Sequence, residues 1–481
     1  MANKISSTQW FKAKYESGTL TDSNHLANAL LTKPHLQDVV AYAFGPRFYL
    51  QFLTQGLGRV RDEFDKVGNV EYTWPVMGDI LRASVIAESG GANKGANFQY
   101  FTLLLRENYF FEGCVIKLES GVLARVTGPA TQIGSDYQYT FQVVHSDPNV
   151  FVPQADVVEG KQVALAYTAY EEGSDRSGTF NATPFWFKNQ LTTIRLSREM
   201  TGSATTDVMI LQLQSTDGKK SNYWLDVAEY QDMLVFQTMV ERYRWYGEYN
   251  KTSTGEVYNK GKNGKAVLQG AGVLSQIAGS NKMAYNMLTT KVLNQFMGSL
   301  MSTSRYAENQ KWMIFTGYGG VQSFQNAIRG QYTGMSVVDT TFTTKSGKTM
   351  TYNDQGFMTY KGILNSEITL VNMDLFNNRE FNTKMDPEGL YPMESHRMVF
   401  LDFSDYDGQA NISLVAKGGP KGDRKMLTWY EAGSTDPVFP GGQKWRMGSS
   451  SVDGWVKHWL SEQGIKLMIP TTCGELYRAV V

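Results

Sequence analysis

The chain has 481 residues, long enough for roughly two to four domains and a sizeable core. Hydrophobic residues make up 42% and charged residues only 19%, which excludes a disordered polyelectrolyte. Lys plus Arg and Asp plus Glu stand at 46 each. That balance argues against a dedicated nucleic-acid binder, which carries a basic excess, and leaves self-association unopposed by net charge.

Two cysteines, Cys114 and Cys473, give no disulfide framework and fit a reducing compartment. The N-terminus lacks an apolar signal core, and no run approaches the roughly 18 apolar residues of a membrane span. Aromatics reach 13%, a composition at home in β-sheets and at protein interfaces.

Residues 1 to about 35 are polar and irregular, with Trp10 and Phe11 as isolated anchors, and read as an arm. An amphipathic helical segment is expected from Pro34 to Leu57, broken at Gly45-Pro46. Residues 69–88 read as extended, with a bend at Pro75. SGGANKGAN, residues 89–97, reads as a flexible hinge. Beyond it FQYFTLLL, CVIKLE, VLARVT, YQYTFQVV and VALAYTAY are short apolar runs between turn residues, the pattern of a small barrel or sandwich. A second Gly-rich hinge closes this block near residue 184. FWFKNQLTTIRLSRE and DVMILQLQ then return as extended segments.

From Ser221 to Tyr249 the chain lacks proline, and glycine first appears at Gly247. A helix of about 40 Å is predicted here, with Ser221 as its N-cap. One apolar stripe reads Tyr223, Val227, Tyr230, Leu234 and a second Leu225, Phe236, Met239, Val240, Tyr243, so the helix is expected to make contacts on two sides. A second helix is predicted over 283–304, a strand at KWMIFTGY, and a helix over GGVQSFQNAIRG capped by Gly330. Residues 335–380 alternate as strands, followed by MVFLDFS, ISLVAK and LTWYEAG. VDGWVKHWLSEQG reads as a helix with Gly464 past its end, before a strand IKLMIP and a closing segment ELYRAVV.

Motifs of known chemistry fall short. TTKSGKT (343–349) ends like a phosphate-binding loop, yet Phe342 stands where that loop needs glycine, so Lys345–Lys348 reads as a hairpin turn. Asp402, Asp405 and Asp407 before Gly408 have calcium-loop spacing, but Phe403 and Leu414 occupy ligand positions, leaving a solvated acidic turn. His25, His35, His145, His396 and His458 form no HExxH pair, and no CxxC occurs. His458 lies 15 residues before Cys473, a spacing open to a Cys–His nucleophile, though Trp455 and Trp459 beside it favour packing. Arg242, Tyr243, Arg244, Trp245 and Tyr246 interleave cation and aromatic as a single-strand stacking surface would; the end of a packed helix explains them equally.

The order of parts is an arm, an excursion that leaves and returns, a long spine helix, a mixed region and a closing strand. With KWMIFTGYGGVQSFQNAIRG and GIKLMIPTTCGELYRAVV, it resembles the Hong Kong 97 fold of tailed-phage major capsid proteins. Over its full length the chain is similar to those of the crAss-like phages. The resemblance implies an α+β shell protein with a long spine helix, an extended loop and an inserted small β domain. It places an arm and helical segment at 1–75 and the extended loop at 76–214, carrying the insertion at about 98–172. A peripheral domain follows at 215–300 with its spine helix at 221–249, then an axial domain at 301–464 and a returning peripheral strand at 465–481. It implies rings of five and six copies in an icosahedral head around double-stranded DNA, assembled in the host cytoplasm. Portal, decoration and scaffold proteins are the implied partners; the scaffold is expected to be separate because the arm starts the chain. No catalytic residue, cofactor, metal or membrane is expected. Trp10, Phe11, Trp74, Trp186, Trp224, Tyr230, Phe236 and Tyr243 are the expected interface residues. The competing readings are a hydrolytic, carbohydrate-active enzyme with an accessory β domain, and a tail or portal-type protein.

Overall fold

A computed structural model describes residues 65–78, 81, 83–174, 178–180, 183–201, 213–214, 220–221, 224–302, 310–329, 342–343, 349–350, 357–361, 367–406, 408–419, 422–434 and 450–479. The expected arm, its anchors Trp10 and Phe11, the helical segment 34–57 and the capping Gly330 lie outside them.

The first strands are β1 (Asp65–Val67) and β2 (Glu71–Val76). Then come β3 (Ser84–Val85), β4 (Phe101–Leu105), β5 (Cys114–Lys117), β6 (Leu123–Val126), β7 (Thr131–Ile133), β8 (Asp136–Val143) and β9 (Gln162–Thr168). The chain returns in β10 (Phe185–Gln190) and β11 (Thr192–Thr201). Short strands β12 (Leu213–Gln214) and β13 (Lys220–Ser221) pair just before the long helix Trp224–Tyr246. Downstream lie β14 (Lys282–Tyr285), the helix Thr290–Ser302, β15 (Lys311–Thr316) and the helix Tyr318–Arg329. The remaining strands are β16 (Phe342–Thr343), β17 (Thr349–Met350), β18 (Phe357–Lys361), β19 (Glu367–Asn372), β20 (Met398–Asp402), β21 (Asp405–Tyr406), β22 (Gln409–Ala410), β23 (Ile412–Gly419), β24 (Gly422–Asp423), β25 (Leu427–Ala432), β26 (Gly454–Leu467) and β27 (Gly474–Arg478).

The chain divides into two compact units, Trp74–Phe187 and the remainder. The smaller holds a seven-stranded sheet in the order β3-β9-β5-β6-β8-β4 with β7 on β8. An antiparallel bridge from Ile86 to Leu105 joins its two edges, so the sheet closes on itself as a barrel. All five apolar runs expected there form strands. Their alternate residues, Phe101, Leu103 and Leu105 on β4 and Tyr139, Phe141 and Val143 on β8, fill the interior. The stretch expected as a flexible hinge is partly structured: Asn93, Gly95, Asn97 and Phe98 hold left-handed backbone, and Lys94 bridges to Val152.

The larger unit contains two six-stranded sheets. In the first, β26 runs between β11 on one edge and β23 and β25, end to end, on the other, with β1 beyond β23. The second has the order β14-β27-β20-β15-β19-β18. One core joins them, with Phe315, Val399 and Leu401 meeting Leu414, Ile465 and Leu467.

Four expectations need correction. VDGWVKHWLSEQG is not a helix; most of it is the first part of β26, which continues through the expected strand IKLMIP as far as Leu467. Trp455 and Trp459 are four apart, a spacing that puts residues on one face of a helix and of a strand alike. Partners on both edges decide for the strand by satisfying its backbone groups. The long helix starts at Trp224, because Ser221, the expected cap, is paired in β13. The helix expected over 283–304 begins only at Thr290, because Met283–Tyr285 pair with β27. The expected division at 464/465 falls inside β26. Strands β23 to β26 share a sheet with β11, whereas β27 joins the other, so neither 301–464 nor 465–481 is one structural block.

Candidate functional site

Strands β2 and β10, which pair with each other, lead the chain out to the Trp74–Phe187 unit and back. At their root three side chains converge on the Ile465 carbonyl: the Tyr72 hydroxyl (2.9 Å) and the Asn189 and Gln276 amides (3.0 Å each). The Asn189 amide also donates to the Ala271 carbonyl (2.9 Å), and its oxygen accepts from the Ala271 and Gln190 N–H groups (2.8 Å each). Gly464 makes room for this knot, because a Cβ there would lie 2.5 Å from the Tyr72 hydroxyl. Burial pushes the Tyr72 phenol well above its ordinary range, so it stays a donor at any physiological pH.

The C-terminal end of the long helix is held from two sides. Phe236 and Val240 pack on Trp459 of β26, with Ile194 and Leu196 of β11 beside them. Trp245 enters the joint core against Phe315 and Phe376, at centroid distances of 5.1 and 5.9 Å. Buried Arg244 donates to Glu241 (3.2 Å) and to the Gln463 side chain (2.6 Å), while the Trp245 indole donates to Glu241 (3.2 Å). Burial draws the Arg244 guanidinium down and Glu241 opposes that shift. Arg244 and Trp245 are therefore framework, and the Arg-aromatic run is the end of a packed helix rather than a stacking surface for single strands.

The chemical candidates resolve in the same direction. His458 accepts no cysteine partner; its Nδ1 lies 2.8 Å from Ser197 Oγ, its Nε2 3.4 Å from Glu431, and its ring stacks on Trp429 at 5.0 Å. These are cross-strand neighbours on β11, β26 and β25. Cys473 is fully buried beside Asn411, and burial pushes its thiol up to about 12, which rules out a resting thiolate. Asp402 is not a solvated turn residue. It is buried, accepts from the Tyr406 hydroxyl and from the Ser404 N–H (3.0 Å), and sits beside the small β21–β22 hairpin. β16 and β17 pair across Lys345–Lys348, as a hairpin requires. Among the described residues no three His, Cys, Asp or Glu side chains gather as a metal site, and no helix is long and apolar enough to cross a membrane.

The expected interface residues separate. Phe236 and Trp74 are buried within the chain (1% and 8% exposed), with Trp74 stacked on Phe187 at 5.9 Å. Tyr243 is half-buried, and burial pushes its phenol up to about 12. Trp224 and Tyr230 sit on the long helix with side chains outside the described residues. Trp186 is open to solvent at 65%, beside Phe185 at 74%. Sequence reasoning passed over Phe185, Tyr258 and Met287, all largely exposed; their local patterns match those of core residues, and only tertiary packing leaves them outside.

The model of the Crassvirus major capsid protein matches residues 2–481. A match of that extent defines the class, a viral shell protein. The chain belongs to the Crassvirus major capsid protein family. It is similar to the major capsid protein of Bacteroides phage crAss001, at 24% identity over 518 aligned positions that cover all of both chains. Among solved structures it is similar to those of Mycobacterium phage Bobi (9% identity, TM-score 0.38) and Microbacterium phage Oxtober96 (10% identity, TM-score 0.37). Each alignment covers 96% of this chain and 100% of the other, and at those scores the assignment rests on the sequence match.

Proposed function

We propose that copies of this chain assemble in rings of five and six into an icosahedral head shell around double-stranded DNA, using a Hong Kong 97-type fold. The observation that carries this is the family match from residue 2 to the last residue. The long helix Trp224–Tyr246 serves as the spine, the β2–β10 ribbon with segment 76–214 as the extended loop, and the barrel as its inserted domain. The arm at 1–75 and the open Phe185–Trp186 pair are contact elements between copies. The sheet containing β11 and β23 to β26 belongs to the peripheral region with the helix; the sheet centred on β15 and β20 is axial. Portal, scaffold and decoration proteins are its further partners, in a virion assembled in the host cytoplasm. The role is structural: Ser197, His458 and Glu431 are packing neighbours across three adjacent strands, and Cys473 is sealed. Electron microscopy of the purified, concentrated protein tests this. Closed shells, or rings of five and six, are expected; particles of another symmetry, or turnover of a glycan panel, would replace the reading.

A further inference from the structure

Charge and exposure together carry an inference about how one copy recognises another, resting on the shell reading above. The zero net charge is not spread evenly. Counting Asp, Glu, Lys and Arg, the Trp74–Phe187 unit holds 12 acidic and 7 basic residues, a net of −5. That leaves 34 acidic and 39 basic of the 46 each, a net of +5 on the remainder.

On that basic remainder stands an exposed, hydrogen-bonded hairpin. The Thr252 N–H donates to Glu256 (2.9 Å), Gly261 to Lys265 (2.8 Å) and Val267 to Asn259 (2.8 Å), with a bridge between Lys260 and Ala266. The Gln190 amide pins its base to Asn250 (2.8 Å) and to the Gln269 carbonyl (2.6 Å). From Ser253 to Val267 every residue except Val257 is exposed. The tip carries Lys260, Lys262 and Lys265, which take no ion pair among the described residues, and Tyr258 stands open beside them. A segment that buries almost none of its own side chains leaves them available to an outside contact. The contact its chemistry fits is an acidic surface.

We propose that the lysine hairpin Asn259–Val267 docks the acidic β unit Trp74–Phe187 of a second copy. Every copy brings one hairpin and one acidic unit, so a shell supplies the two in equal number, which packaged nucleic acid does not. The contact steers association while the apolar surfaces complete it, and salt screens it.

Zero-length carbodiimide coupling of assembled particles and of dissociated subunits, read by mass spectrometry, locates the contact. Lys260, Lys262 or Lys265 joined to carboxylates of residues 74–187 in particles but not in free subunits is the expected result. The same links at equal yield in free subunits place the contact within one copy and overturn the proposal. In parallel, K260E/K262E/K265E changes only exposed side chains and melts like the wild type. It assembles about tenfold more weakly at low salt, and the wild type falls to meet it at roughly 0.5 M salt. Adding E112K/E172K, exposed positions of the acidic unit, restores part of the loss. A triple variant that assembles like the wild type at both salts overturns the proposal and leaves the shell reading intact. Reduced DNA retention with unchanged assembly also overturns it and gives the hairpin to nucleic acid. A wild-type chain that forms no particles even with its scaffold protein present ends both readings.

Discussion

Asn189 shows how one side chain can govern a much larger piece of the molecule. Its amide uses both donor and acceptor sides, on Ile465, Ala271 and Gln190, at the point where the ribbon leaves the larger unit. Replacing it with Ala takes the acceptor from the Ala271 and Gln190 N–H groups, while Tyr72 and Gln276 still serve the two carbonyls, at a cost of roughly 1–3 kcal/mol. Thermal or denaturant unfolding of Asn189→Ala reads that loss directly, and a wild-type midpoint would show the knot to be idle. His396 gives a pH dependence. Burial lowers its pKa; the contact with Asp386 at 3.3 Å opposes that, and Arg478 at 3.4 Å and Glu388 also act on it. Burial also works against the Asp386 carboxylate. The Tyr391 and Leu390 N–H groups and His396 outweigh it and hold its pKa below the ordinary value. Both groups therefore bind a proton less tightly folded than unfolded. Their stabilisation is complete above the ordinary histidine value near 6.5 and declines as pH falls below it, with the Asp386 share lost below about 3.8. Melting temperatures measured from pH 7.5 downwards should drop first below about 6.5, and His396→Gln should flatten that first step.

At the scale of elements, β26 is the member on which the others depend. It pairs on both edges, receives the helix through Trp459 and offers its Ile465 carbonyl to the ribbon root. Gly454 opens it with φ 143°, and a Cβ there would stand 1.8 Å from the Met200 carbonyl oxygen. Gly454→Ala therefore cannot keep the Thr201–Gly454 register and should fray the start of the β11–β26 ladder. Hydrogen exchange would show this as lost protection at Thr201 and Met200, while protection near Leu467 persists; unchanged exchange at Met200 would refute the steric argument. The helix makes a complementary case. Phe236 reads on the page as one of several aromatics available for a partner, yet the sheet it crosses claims it.

Across the whole chain the charge is divided, with a net of −5 on the Trp74–Phe187 unit and +5 on the remainder. The proposed shell is held by weak contacts that act together, and the arm is proposed as one of them. Removing residues 1–30 should leave a chain that folds but cannot close shells. Circular dichroism and electron microscopy of the truncated protein check this, and shells of normal size would remove the arm from the assembly mechanism.

The sequence by itself determined the barrel's strands, the long helix, the failed metal and phosphate motifs, and the family resemblance. The strands, the helix and the motifs rest on local periodicity, on turn residues or on fixed ligand spacing, and the resemblance rests on the order of parts along the chain. Tertiary structure alone decided that 454–467 is a strand, because a spacing of four fits both periods and the pairing partners lie far away in sequence. It also decided which aromatics are core and which are surface, since Phe236 and Trp186 carry the same hydrophobic signal and differ only in what packs over them. The separation of charge between the two units was present in the residue counts throughout, but it became visible only once contacts drew the boundary at residues 74 and 187.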